Sequence, residues 1–191
     1  PVIAVKRSEM VIGGAGNDVL NGGTGIDTSN GGDGNDIILI SGTQAQNDTI
    51  NGGAGLADTV RIIGNGSATL AGTNRITNVE IFEGSGQAVL GSNNADVLDF
   101  SKFAAVSGVA SIRGMRGNDT ITGTSGAESL FGGSDNDTLD GNGGGDTFNG
   151  GSGNDTFQFV SGASGGDHRI DDFDASGNDH VRLVGFSELD G

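Results

Sequence analysis

From Gly114 to Phe157 the chain repeats itself every nine residues. An acid recurs at Asp119, Glu128, Asp137, Asp146 and Asp155, and two residues after each acid stands one apolar side chain: Ile121, Leu130, Leu139, Phe148 and Phe157. Each unit divides into six loop residues rich in glycine and a stretch of three such as Thr120-Ile121-Thr122. In an extended strand alternate side chains point to opposite faces, so Ile121 turns inward and both threonines outward. One inward side chain per unit cannot form a core. The units must stack, each burying its apolar residue against its neighbours, and the result is an all-β solenoid of parallel strands.

The loops have a chemistry of their own. Glycine admits φ > 0 and lets successive backbone carbonyls turn toward a common point. The acid at the sixth position adds a carboxylate. Carbonyl and carboxylate oxygens, six to eight of them at about 2.3–2.6 Å, are the ligands Ca²⁺ prefers.

These nonapeptides resemble those of the RTX (repeats-in-toxin) family of secreted bacterial proteins, densely at residues 9–61 and 114–160. The resemblance implies a right-handed parallel β-roll or β-helix in which each unit is half a coil. Loops on one side then lie eighteen residues apart, with Ca²⁺ between neighbours. Carried onto this chain, it pairs Asp119 with Asp137, Glu128 with Asp146, and Asp137 with Asp155. Loop carbonyls complete the implied ligand set. In the C-terminal block these residues are Gly114, Arg116, Gly117, Gly123, Ser125, Gly126, Gly132, Gly133, Ser134, Asp135, Gly141, Asn142, Gly143, Gly144, Gly150, Gly151, Ser152 and Gly153. The N-terminal block offers Glu9, then Gly13, Gly14, Ala15, Gly16 and Asp18, then Gly22, Gly23, Thr24, Gly25 and Asp27, then Gly31, Gly32, Asp33, Gly34 and Asp36. Beyond it the phase loosens. Asp48 follows Asp36 by twelve residues and Asp58 follows by ten, with Gly53 and Gly55 in its loop. The pairs Asp27 with Asp48 and Asp36 with Asp58 extend the scheme less securely. Asp33 and Asp135 are loop acids outside the sixth position, either adding charge to a site or facing water.

Ser29 falls at the inward phase and marks a weak spot in the core. From Ile62 to Ala110 the acids thin out, but short apolar runs continue at Val60–Ile63, Thr69–Leu70, Val79–Phe82, Ala88–Leu90, Val97–Phe100 and Val109–Ile112. These read as calcium-poor coils, with a short helix or bulged loop at 101–107. The alternative is two rolls separated by a distinct insert. Residues 161–191 read as a C-terminal cap, because a solenoid's end exposes its core. Within it, Asp171-Asp172-Phe173-Asp174 and Asp179-His180-Val181-Arg182-Leu183 resemble a closing hairpin of family members. The expected layout is one continuous domain with segments 1–61, 62–113, 114–160 and 161–191.

The 191 residues carry 25 acids, nine bases and a net charge of −16. Without cations the phased acids repel one another, so the repeats are expected to be largely disordered until Ca²⁺ binds. Such acidity disfavours nucleic acid and anionic membranes as partners, and no apolar run reaches membrane-spanning length. There is no cysteine and therefore no disulfide or thiol chemistry. The two histidines, His168 and His180, read as solvated cap residues, and no H-E-x-x-H zinc motif is present. Gly162-Ala163-Ser164-Gly165-Gly166 matches G-x-S-x-G but lacks the strand–turn–helix setting that motif requires. Thr120, Thr138 and Thr156 are expected to form one outward row. Threonine simply suits exposed strands, although a flat hydroxyl row offers a surface to ice or glycan. The chain opens on Pro1 and reads as a piece of a longer protein. The resemblance implies a non-enzymatic calcium module of a secreted or cell-surface bacterial protein, exported by type I secretion machinery and folded outside the cell. Its alternative is adhesion or extracellular polysaccharide binding by the outer faces.

Overall fold

The computed structural model of the chain describes residues 3–5, 8–42, 44–162, 165–174 and 178–186. It is an all-β solenoid of about eight turns built from parallel strands. One face is a single ten-stranded sheet. Its path runs through β1 (Ile3–Val5), β3 (Val19–Gly23), β5 (Ile37–Ile40), β7 (Thr59–Ile62), β10 (Ile81–Leu90), β12 (Ala105–Arg116), β14 (Ser129–Ser134), β16 (Thr147–Ser152) and β18 (Arg169–Ile170), with β8 (Ala68–Thr69) beside β10. The opposite face is divided. A four-stranded sheet holds β2 (Met10–Ala15), β4 (Thr28–Asp33), β6 (Thr49–Ala54) and β9 (Ile76–Thr77). A five-stranded sheet holds β11 (Val97–Asp99), β13 (Thr120–Thr122), β15 (Thr138–Asp140), β17 (Thr156–Val160) and β19 (His180–Val184).

The inward residues stack in columns, as the period of two demands. Leu98, Ile121, Leu139, Phe157 and Val181 lie in register along one sheet. Ile112, Leu130, Phe148 and Ile170 face them from the other. Ser29 does occupy an inward site, buried between Val11 and Ile50. The outward threonines also form their row, Thr120 against Thr138 against Thr156.

The six apolar runs between 60 and 112 all enter strands, but the joins differ from a simple series of half-coils. The runs at 79–82 and 88–90 merge in β10. Its first residues pair with β7 and its last with β8. β12 pairs along both portions of β10. These two long strands carry the ten-stranded sheet across the point where the opposite face changes sheets. Residues 101–104 form turns and β12 begins at Ala105, so no helix forms there. Several repeat strands are also longer than three residues: β4, β14 and β16 each continue into the first three loop positions.

The C-terminal segment corrects one expectation. β18 and β19 do not form a hairpin. Each pairs in parallel with the preceding strand of its own sheet, β16 and β17 respectively. The acids after Phe157 still follow the coil, so the chain makes another turn where a hairpin would have had to reverse direction. Val181 and Leu183 keep the inward phase yet are exposed, because no described coil stacks beyond them.

Candidate metal centre

Each repeat acid sits just before a strand, at the end of its loop. Asp27, Asp36, Asp48, Asp58, Asp119, Asp137, Asp146 and Asp155 each accept, at one carboxylate oxygen, a hydrogen bond from the backbone N–H of the acid one coil earlier. Among loops leading into the ten-stranded sheet, Asp18 N–H donates to Asp36, Asp36 to Asp58 and Asp58 to Glu80, at 2.8, 2.7 and 2.9 Å. Glu128 N–H donates to Asp146 at 2.8 Å. Among loops leading into the two smaller sheets, Glu9 donates to Asp27 and Asp27 to Asp48. There too Asp96 donates to Asp119, Asp119 to Asp137 and Asp137 to Asp155. All the acid pairs that the resemblance implied are joined by these hydrogen bonds, including the looser ones. The extra residues before Asp48 and Asp58 are absorbed in the loops, with a 3₁₀ turn at Gln44–Asn47 in the first.

The ladder uses at most one oxygen of each aspartate. In Asp18, Asp27, Asp36, Asp58, Asp119, Asp137, Asp146 and Asp155 the second oxygen, Oδ2, is shielded from solvent and accepts no hydrogen bond. A buried polar atom without a partner costs about 1–3 kcal/mol, and more when charged. Glu128 and Asp96 escape this state through neighbours in their own loops. Both oxygens of Glu128 are taken up by Thr124, and Asp96 Oδ2 accepts from Ser92 N–H. Burial, followed by repulsion from Asp119, Asp155 and Asp135, raises Asp137 to about 7. Burial, then neighbouring acids, raises Asp119 and Asp146 to about 6. Asp48 also rises to about 6, through burial and then Asp27.

Backbone oxygens crowd the same spaces. A Cβ on Gly132 would lie 2.3 Å from Asp137 Oδ2 and 2.6 Å from the Gly150 carbonyl oxygen. This first loop glycine is required by space, since its φ is not in the left-handed region. The second, Gly133, has φ 123°, and a Cβ there would lie 2.2 Å from the Met115 carbonyl oxygen. Successive loops thus stack too closely for side chains and leave a cradle of carbonyls beside an unpartnered carboxylate oxygen. Among the described residues no three His, Asp or Glu side chains cluster to hold a metal. Any ion at these loops draws on backbone oxygens, and this donor set suits Ca²⁺ rather than a metal that prefers nitrogen or sulfur.

Several participants were not singled out by the sequence. Asparagine at the fifth loop position forms a second ladder running opposite to the first. Asn35 N–H donates to Asn17 Oδ1, Asn136 N–H to Asn118 Oδ1 and Asn154 N–H to Asn136 Oδ1, at 2.8–2.9 Å. The recurrence of Asn before Asp was the available signal. Glu80, Asp179 and His168 extend the acid columns beyond the regular repeats. His168 is half-buried against Phe148 and Phe159 and accepts the Asp146 N–H at Nδ1, so it is not a solvated residue. That Nδ1 also lies 3.1 Å from Asp146 Oδ2. His180 is exposed. Asp33 faces water, while Asp135, with φ 79° at a glycine position, accepts from Gly117 N–H. Ala163 and Ser164 of the G-x-S-x-G match lie outside the described residues.

A family model described as the RTX calcium-binding nonapeptide repeat matches in four copies, over residues 7–38, 43–55, 106–139 and 122–157. Together these cover about half of the chain and include every aspartate with an unpartnered Oδ2 except Asp58. No curated protein matches the chain. Period, stacked loops and orphaned carboxylate oxygens agree with the match: the chain belongs to the RTX calcium-binding nonapeptide repeat family.

Proposed function

We propose that this chain is a non-enzymatic module whose repeat loops fold upon binding several Ca²⁺ ions. The reading rests above all on the eight buried Oδ2 atoms without hydrogen-bond partners, set beside close-packed loop carbonyls. The phased acids, from Glu9 to Asp58 and from Asp119 to Asp155, supply carboxylates, and the loop residues between them supply carbonyls. Bound calcium would cancel carboxylate repulsion and tie successive loops together. Asp119, Asp137 and Asp155 do the rest through the chain itself, each fixing its neighbour's backbone by the N–H ladder. Segments 1–61, 62–113, 114–160 and 161–191 act as parts of one solenoid.

A ligand held only by the folded state stabilises it by RT ln(1 + [L]/Kd). With extracellular-type affinities of about 10⁻⁴–10⁻³ M, this contribution vanishes at cytosolic calcium and returns outside. That logic supports export of an unfolded chain by type I machinery, and folding in the secreted or surface-bound state. No described helix is long and apolar enough to cross a membrane. Far-UV circular dichroism of the chain in calcium and in EGTA tests the reading. A β spectrum that appears with calcium is expected; a spectrum unchanged by EGTA would overturn it.

A second reading, polysaccharide binding by an outer face, has one specific observation behind it. The Arg113 guanidinium lies over the Phe131 ring, 4.2 Å from its centroid, beside a shallow cleft of about 290 Å³ that Met115 and Asn149 also line. A glycan array in calcium, with Phe131→Ala as control, decides it: signal lost in the variant supports this reading, and a blank array removes it.

A further inference from the structure

None of the aspartates with an unpartnered Oδ2 lies between residues 59 and 118, yet the coils there remain stacked. The four-stranded sheet ends in this region and the five-stranded sheet begins. Ile76 is in register with Ile50, so Asn74 takes the place that Asp48 holds one coil earlier. A carboxylate has become a neutral amide. The carbonyls of this turn are nevertheless occupied. Lys102 Nζ donates to the carbonyl oxygens of Thr73 and Ile76, the latter at 2.7 Å. In the loop one coil earlier, Arg75 Nη1 donates to the Asn47 carbonyl at 3.1 Å.

Lys102 is held where it is. Its ammonium lies 5.2 Å from the centroid of the Phe103 ring, and Phe103 packs with Phe82 and Phe100 in a cluster of three rings with centroids 5.2–5.7 Å apart. Burial pushes the Lys102 pKa down, and Asp99 pulls it partly back up. Lys102 is an exposed residue as a whole, yet its ammonium is not left to water as on an ordinary surface lysine: it donates to two backbone oxygens, as a metal ion would bind them. Nearby contacts also need no ion. Thr73 Oγ1 accepts from Asp99 N–H and donates to the Asp99 carbonyl. Arg61 pairs with Glu83 at 2.7 Å, and Gln87 donates to the Gly64 carbonyl.

We propose that Lys102 is the resident cation of this seam, its ammonium serving one acid-free turn as divalent ions serve the acid loops, so that the central coils stay folded when calcium is withdrawn. The proposal rests on calcium-dependent folding of the flanking repeats. Removing calcium then unfolds the two acid-bearing ends around a surviving centre.

Hydrogen exchange read by mass spectrometry on the 191-residue chain, in calcium and in EGTA, tests this. In EGTA the wild-type segment 76–103 is expected to keep protection about tenfold above that of loops 13–36 and 132–155, as a locally stable unit does. Lys102→Met and Lys102→Gln should lose that advantage in EGTA while showing a native pattern in calcium, and Lys102→Arg should keep it. The Gln variant keeps a hydrogen-bond donor without charge, so it separates charge from geometry. Protection retained by Gln and Met, or a wild-type centre that exchanges together with the end loops, would overturn the proposal. Exchange unaffected by EGTA anywhere would overturn both this proposal and the calcium-dependent folding beneath it.

Discussion

An aspartate whose pKa stands at about 7, against its ordinary 3.8, holds its proton more tightly in the folded chain than in the unfolded one. Its contribution to the ion-free fold is therefore present below about pH 4 and lost as pH rises through the folded pKa. Asp119, Asp146 and Asp48 act in the same direction, with folded values of about 6. In EGTA the chain should gain β structure as pH falls from about 7.5 to 5, whereas in calcium, protons competing for the same carboxylates should weaken ion binding over that range. Parallel circular dichroism titrations check this, and identical pH profiles with and without calcium would contradict it. Gly132 gives a steric counterpart. Gly132→Ala should destabilise the calcium-loaded protein by about 1–3 kcal/mol through overpacking. Gly66→Ala, where a Cβ would meet nothing within 4 Å, should stay within about 0.5 kcal/mol. Urea unfolding in calcium measures both. Asn136 both accepts from Asn154 N–H and donates its own N–H to Asn118. Asn136→Ala removes only the side-chain acceptor and should cost about 0.5–1.5 kcal/mol; no change in the urea midpoint would show the asparagine ladder to be idle.

Strands here are stabilised by what stacks above and below them, so each inward column has a testable weak point. Ser29 is buried between Val11 and Ile50. Ser29→Val adds apolar volume to that column and should raise stability in calcium by about 1 kcal/mol, given roughly 0.8 kcal/mol per buried methylene equivalent; a lower urea midpoint would mean the site is already full. The inward phase of Ile121, Leu130, Leu139, Phe148 and Phe157 could be read directly from the sequence, because a nine-residue period with one apolar residue leaves few other arrangements. The acid pairs were implied by the resemblance to the RTX nonapeptides, in which loops on one side lie eighteen residues apart. The course of β10 and β12 could not be read in either way. Their length arises because one face changes sheets while the other continues, and no local signal in residues 81–116 records what the opposite face does. The supposed hairpin failed for a similar reason. An apolar, acid-flanked pair of segments suits a reversal and another coil equally well, and only the pairing of β19 with β17 distinguishes them. Lys102 was also hidden, since its partners are backbone oxygens of Thr73 and Ile76, more than twenty residues away in sequence.

The whole molecule carries −16 of net charge on a core only a few side chains thick. Eight buried carboxylate oxygens without partners, each costing about 1–3 kcal/mol or more, weigh heavily against the roughly 5–15 kcal/mol by which domains are ordinarily stable. Cations between the loops would resolve that imbalance; the central coils lack such unpartnered oxygens and pack around three rings, with the Lys102 ammonium on one of their turns. Unfolding should therefore begin at the ends when calcium is scarce and become cooperative as calcium rises. The most direct measurement is anomalous diffraction from crystals grown in millimolar calcium. The account predicts strong peaks between the loops ending at Asp119, Asp137 and Asp155, and between those ending at Asp18, Asp36 and Asp58, with none at the Thr73–Ile76 turn. Loops folded as described here but without anomalous density beside those aspartates would contradict it.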